Sequence, residues 1–157
     1  MPEGDRSGRS YRSAVRTSFD RQSLMRILGA RLATVDPGRT TIELPFRADL
    51  CQQDGLLHAG VIASLLDSAC GYAAMTLMPH GVEVLSVEFK VSFLSPARGS
   101  RFLARGRVVR AGRTITTCAG DLYAVGGRSP TLVATMLATM IGRAPARSAP
   151  GAAPRGQ

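Results

Sequence analysis

The apolar positions of this chain change their period along its length, and each change marks an element. Over residues 59–78 the side chains Val61, Ile62, Leu65, Leu66, Ala69, Cys70, Ala73 and Leu77 recur at helical spacing, which predicts a long helix with one broad apolar face. Its small residues, Ala63, Ala69, Gly71, Ala73 and Ala74, would let a sheet approach closely, and Pro79-His80-Gly81 is the expected stop. Over residues 83–94 the period becomes two. Leu85, Val87, Phe89, Val91 and Phe93 alternate with Ser86, Glu88, Lys90 and Ser92, the pattern of a half-buried strand. By this alternation Ser86 faces away from the apolar row.

Shorter runs complete the layout. Residues 21–30 predict a small amphipathic helix carrying Leu24, Ile27 and Leu28, with Gly29 near its end. Residues 31–35 and 40–46 predict a hairpin around Asp36-Pro37-Gly38. Residues 101–110, 113–125 and 131–141 predict three more strands after the turn at Ser95-Pro96-Ala97-Arg98-Gly99. The order is two strands, a long helix, then four antiparallel strands. The expected class is α+β, a curved antiparallel sheet of about six strands wrapped around the one helix large enough to cover it.

Composition sets the limits. A chain of 157 residues suits one core, expected over residues 21–142. No apolar run approaches the roughly 20 residues of a membrane span. The net charge of +9 raises nucleic-acid binding, but the arginines gather toward the two ends and no aromatic interleaving accompanies them, so neither nucleic acid nor membrane is an expected partner. Both ends are rich in Arg, Ser, Pro, Gly or Ala, which leads us to expect disordered tails over residues 1–20 and 143–157. Glu3, Asp5 and Asp20 interrupt the basic N-terminus and no apolar stretch of the signal-peptide kind follows, so export is not expected. Cys51, Cys70 and Cys118 are odd in number and lack CxxC spacing, which suggests reduced cytoplasmic thiols and neither a disulfide framework nor a zinc site.

The candidate chemistry lies in residues 52–67. The amides of Ala59 and Gly60 open the long helix, where unpaired N–H groups and a partial positive charge can stabilise an oxyanion. His58 precedes them, placed either to hold the loop or to meet a substrate. Asp67 is a lone carboxylate among apolar and small residues; it either acts chemically or serves a structural hydrogen bond. It lies roughly 13 Å along the helix axis from His58. Two catalytic groups so far apart would have to meet across a two-fold dimer.

These features in this order, with Ser86-Val87-Glu88-Phe89-Lys90-Val91-Ser92-Phe93-Leu94-Ser95-Pro96-Ala97 and the turn Arg110-Ala111-Gly112-Arg113, resemble the hotdog-fold acyl-CoA thioesterases of the phenylacetate-degradation type. The resemblance covers residues 21–142. It implies a thioester hydrolase in which Asp67 is base or nucleophile and the Ala59 amide, where the family has Gly, is an oxyanion donor. It further implies that Gln52 stands where many members carry Asn, and that Ser86 orients the attacking water. The partners implied are an acyl-CoA substrate and a second copy of the chain, in a dimer with shared sites or a tetramer. A carboxylate with an oxyanion site suffices for a thioester, so no metal or cofactor is expected beyond the coenzyme A of the substrate. Arg98 and Arg113, both in turns, are candidates for its phosphates. A hotdog dehydratase or hydratase, and a non-catalytic acyl-CoA-binding domain, are the alternatives; the first lacks its usual motif here, and Asp67 argues against the second.

Overall fold

The computed structural model describes residues 4–144, with side chains from Tyr11 onward. Period-two alternation builds a six-stranded antiparallel sheet: β1 (Arg31–Asp36), β2 (Arg39–Pro45), β3 (Glu83–Phe93), β4 (Arg101–Ala111), β5 (Ile115–Val125) and β6 (Thr131–Arg143). The strand order is β1-β2-β4-β5-β6-β3, so β1 and β3 are the edges. Ile42 and Leu44 of β2, Phe102 and Ala104 of β4, Leu122 of β5, and Ala134, Ala138 and Met140 of β6 all point to one face and are fully buried. Across that concave face runs α3 (Ala59–Met75), burying Ile62, Leu65, Leu66, Ala69, Cys70 and Ala73. This is the hotdog architecture expected from the sequence.

The helix seats deeply because the sheet has no side chains beneath it at two points. A Cβ on Gly106 would overlap the backbone of Ala69, and one on Gly120 would lie 2.9 Å from Cys70 Sγ. The buried Thr40 hydroxyl donates to the Ala69 carbonyl at 2.7 Å, tying the middle of α3 to β2. Burial pushes the Cys118 thiol up to about 11 and raises that of Cys70 further, the second with help from Cys118 and Asp67. α3 ends at Met75, three residues short of the expected end at Met78. The Thr76 hydroxyl donates to the Ala73 carbonyl and accepts from the Gly38 amide, both at 2.7 Å, so the β1–β2 turn supplies the stop.

The N-terminal expectation is corrected. Instead of a disordered tail, Gly4–Arg21 forms helix α1, followed by the short α2 (Ser23–Leu28). Tyr11, Val15 and Phe19 fall four residues apart on one stripe. Val15 is fully buried, and the Phe19 ring meets the ring of Tyr72 on α3 at a centroid distance of 5.7 Å. Arg12 ties α1 to β1 through the Val35 carbonyl and the Asp36 carboxylate. At the other end β6 continues to Arg143, and the rest of the tail expectation, residues 145–157, lies outside the described residues.

The apolar row of β3 also departs from expectation. Leu85, Val87, Phe89 and Phe93 are exposed: Leu85 lies on the face away from α3 and Val87 at a break in the pairing with β6, while Phe89 and Phe93 lie on an edge strand that α3 covers only in part.

Candidate active site

Asp67 sits half-buried in the middle of α3. The Ser86 hydroxyl donates to its Oδ1 at 2.5 Å. Simple alternation had turned Ser86 away from this face, and a β-bulge corrects it. Pairing with β6 shifts between Ser86 and Glu88, leaving Val87 as the extra residue. Ahead of the bulge Val84 and Ser86 face α3; beyond it Phe89, Val91 and Phe93 do. Ser86 is thus paired with the buried Met140 and aimed at the carboxylate. The hydrogen bond fixes the carboxylate and leaves Oδ2 without a partner among the described residues.

The start of α3 is organised by His58, whose Nδ1 accepts from the Gly60 amide at 2.9 Å. This N-cap contact needs an unprotonated Nδ1, so the neutral ring carries its proton on Nε2. It also removes the Gly60 N–H from the set of free donors expected there. The Val61 and Ile62 amides bond back to the His58 carbonyl, and the Ala59 N–H has no partner among the described residues. Of the two amides considered as an oxyanion site, Ala59 is the one available.

Gln52 is not aimed at that donor. Its Oε1 accepts from the Asp54 and Leu56 amides and its Nε2 donates to the Asp54 carboxylate, so the side chain closes the loop that leads to His58. Arg98 and Arg113 are both exposed, at opposite ends of β4, which spans roughly 33 Å. Arg98 lies beside the helix start, where the Leu57 amide donates to the Ala97 carbonyl; Arg113 lies in the β4–β5 hairpin. One protomer therefore does not bring both to one group of phosphates. Asp67 and Ser86 are brought together in one chain, whereas His58 and Ala59 are not brought to Asp67.

One element of the site was missed from the sequence. A cavity of about 820 Å³ lies between α1, α3 and the start of β3, with Asp67 and Ser86 in its wall. Thr17, Ser18 and Arg21 of α1 line it from above and Gly71 and Tyr72 of α3 from below. The four-residue spacing of Tyr11, Val15 and Phe19 was the available signal. At its base the Tyr72 hydroxyl donates to Gln22 Oε1 and Gln22 Nε2 donates to the Ser68 hydroxyl, each at 3.1 Å. Burial pushes the Tyr72 phenol up, so it stays a neutral donor. Among the described residues no cluster of three or more His, Cys, Asp or Glu is arranged to hold a metal.

Residues 54–131 match the model of the thioesterase superfamily. A solved thioesterase family protein from Silicibacter pomeroyi is 48% identical, superposes with a TM-score of 0.82, and is matched over 84% of this chain and 97% of its own. The chain belongs to the thioesterase superfamily. Thioester hydrolase, the enzyme class expected from the sequence, is the class of this family. The fold is shared at 16% identity with the Escherichia coli PaaI protein from the phenylacetic acid degradation operon, with a TM-score of 0.77 over 87% of this chain and 95% of that one. Human acyl-coenzyme A thioesterase 13 is 25% identical over 115 residues, which are 72% of this chain and 81% of the relative. A putative esterase of Saccharolobus solfataricus is 29% identical over 92 residues, 59% of this chain and 65% of the relative.

Proposed function

We propose that the protein hydrolyses acyl-CoA thioesters with Asp67 as base or nucleophile. The observation that carries this is the Asp67 carboxylate, held by Ser86 at 2.5 Å in the wall of a cavity large enough for an acyl group. The likeness to an acyl-coenzyme A thioesterase supports coenzyme A as the leaving group.

In the base form, Asp67 Oδ2 takes a proton from water as the oxygen attacks the thioester carbonyl. The tetrahedral oxyanion is met by the Ala59 N–H at a helix N-terminus. Its collapse breaks the carbon–sulfur bond, giving a free acid and a thiolate that takes up a proton. In the nucleophile form the carboxylate itself attacks, and water resolves the anhydride. Neither route calls for a metal or a cofactor.

Asp67 and Ala59 are separated by roughly 12 Å along α3, so the donor comes from a second subunit. The exposed edge of β3, with Val87, Phe89 and Phe93, is the surface that supports this pairing, since a long apolar edge strand is otherwise a site of uncontrolled association. A two-fold through that edge runs the helices antiparallel and forms two shared sites. Arg98 beside the helix start is placed for the coenzyme A phosphates. No described helix is long and apolar enough to cross a membrane, and the reduced thiols suit an enzyme acting in the cytoplasm.

Mixing two inactive variants tests the scheme. Asp67→Asn is expected to lower kcat about 10²- to 10⁴-fold. Ala59→Pro removes only the free N–H, at the first helical position where proline fits, and is expected to lower kcat about 10²- to 10³-fold. Mixed dimers of the two contain one intact site if the sites are shared, so thiol release should return on mixing. Full activity of Asp67→Asn would remove the carboxylate from the mechanism, and no recovery on mixing would place each site within one chain.

A further inference from the structure

The cavity beside Asp67 does not end at the first turn of helix below it. On α3, Asp67, Gly71 and Met75 are four residues apart and form one stripe directed toward the helix C-terminus, about 12 Å long. A Cβ on Gly71 would meet nothing within 4 Å, so the position next to the carboxylate is open floor. A second cavity of about 350 Å³ continues from the first. The two share Ala14, Met75, His80 and Gly81 as walls, and the second is lined further by Tyr11, Leu77 and Met78.

The character of the lining changes along this path. Near Asp67 the walls carry Ser18, Gln22, Ser68 and Tyr72, but Gln22, Ser68 and Tyr72 are hydrogen-bonded to one another. No buried side-chain polar atom among the described residues lacks a partner. A methylene chain passing Gln22, Ser68 and Tyr72 therefore leaves their hydrogen bonds to one another intact. Farther on, Met75, Leu77 and Met78 enter the walls beside Thr76 and His80, and their flexible or apolar side chains adapt to an alkyl tail.

We infer that the cleft between α1 and α3 is a channel for an unbranched medium- to long-chain acyl group, running from Asp67 past Gly71 to Met75 and Met78, with Ala14 on α1 setting how far the chain reaches. This rests on the acyl-thioester reading of the site. It makes α1 a specificity element: the helix forms one wall of the channel along its length and takes no part in the chemistry at Asp67.

The test sets Ala14→Phe and the milder Ala14→Leu against chain length. Thiol release is measured with butyryl-CoA and with palmitoyl-CoA below its micellar concentration. Binding of the same two compounds is measured by calorimetry on the Asp67→Asn background. The palmitoyl-to-butyryl ratio of kcat/KM should fall at least 10-fold in Ala14→Phe and by less in Ala14→Leu. The palmitoyl-CoA dissociation constant should rise in parallel while that of butyryl-CoA does not. Turnover that depends on Asp67, with both ratios unchanged in both variants, overturns the channel and leaves the hydrolytic reading intact. Binding that responds to Ala14 in a protein without turnover supports the channel and overturns the hydrolytic reading.

Discussion

α3 uses glycine in opposite ways on its two sides. Toward the sheet the glycines are in the strands, Gly106 and Gly120, and their missing side chains are filled by the helix itself. Toward α1 the glycine is in the helix, Gly71, and its missing side chain is filled by nothing. The first arrangement brings backbone against backbone, excludes water and buries Cys70 and Cys118. The second leaves open space between two helices beside a carboxylate. A glycine on a packed face thus reads as contact, and one on a helix that leaves space beside a titratable group reads as room for a ligand. The rigid side also positions the open one, since Asp67 is carried on a helix fixed from beneath and held at its far end by Thr76.

The closed side gives the largest expected effect on stability. Gly106→Ala places a methyl group in the backbone of Ala69, where no side chain can rotate away, and should lower the unfolding free energy by about 3 kcal/mol. Urea unfolding of the variant checks this. A loss within measurement error would mean that the helix can lift from β4 and that the contrast between the faces is not rigid. Thr40→Val keeps the shape and deletes one hydroxyl. The Ala69 carbonyl retains its helical partner, so the cost should be smaller, about 1 kcal/mol in the same assay. An equal cost for the two variants would assign the seating of α3 to the hydrogen bond instead of the close approach.

Periodicity made the scaffold legible and left the facing of single residues open. The apolar positions from Val61 to Ala73 identify α3 because burial imposes a period of 3.6 on one helix face, and the alternation after Glu83 identifies β3 by the period of two of an extended strand although most of its apolar row is exposed. The same alternation misplaced Ser86, since a bulge at Val87 turns every side chain ahead of it to the other face, and a bulge leaves no mark in hydrophobicity. Helix α1 was hidden by its arginines and serines. Composition weighed against order, although Tyr11, Val15 and Phe19 carry helical spacing and the burial of Val15 and Phe19 holds the segment down. The role of Gln52 and the loss of the Gly60 donor depend on which of several local hydrogen bonds is made. Spacing does not encode that choice, and the separation of Arg98 from Arg113 follows from strand length rather than from motif.

The smallest expected effect is the one that bears most directly on the open side. Gly71→Ala replaces a glycine inside a helix at a position where a methyl group touches nothing, so it should stabilise the protein by about 0.5–1 kcal/mol through the lower backbone entropy of the unfolded chain. The same methyl group stands one turn from Asp67 on the floor of the cavity. If the space is a binding channel, the more stable variant should be the poorer enzyme, with the loss growing as the acyl group widens next to the carbonyl. Unfolding and kinetics on the one variant decide the matter together. Stability and activity rising together would make Gly71 an unoptimised helix position and Asp67 a group that reaches its substrate from another direction, whereas opposite signs would show that the helix keeps a weaker residue because the chemistry beside it needs the room.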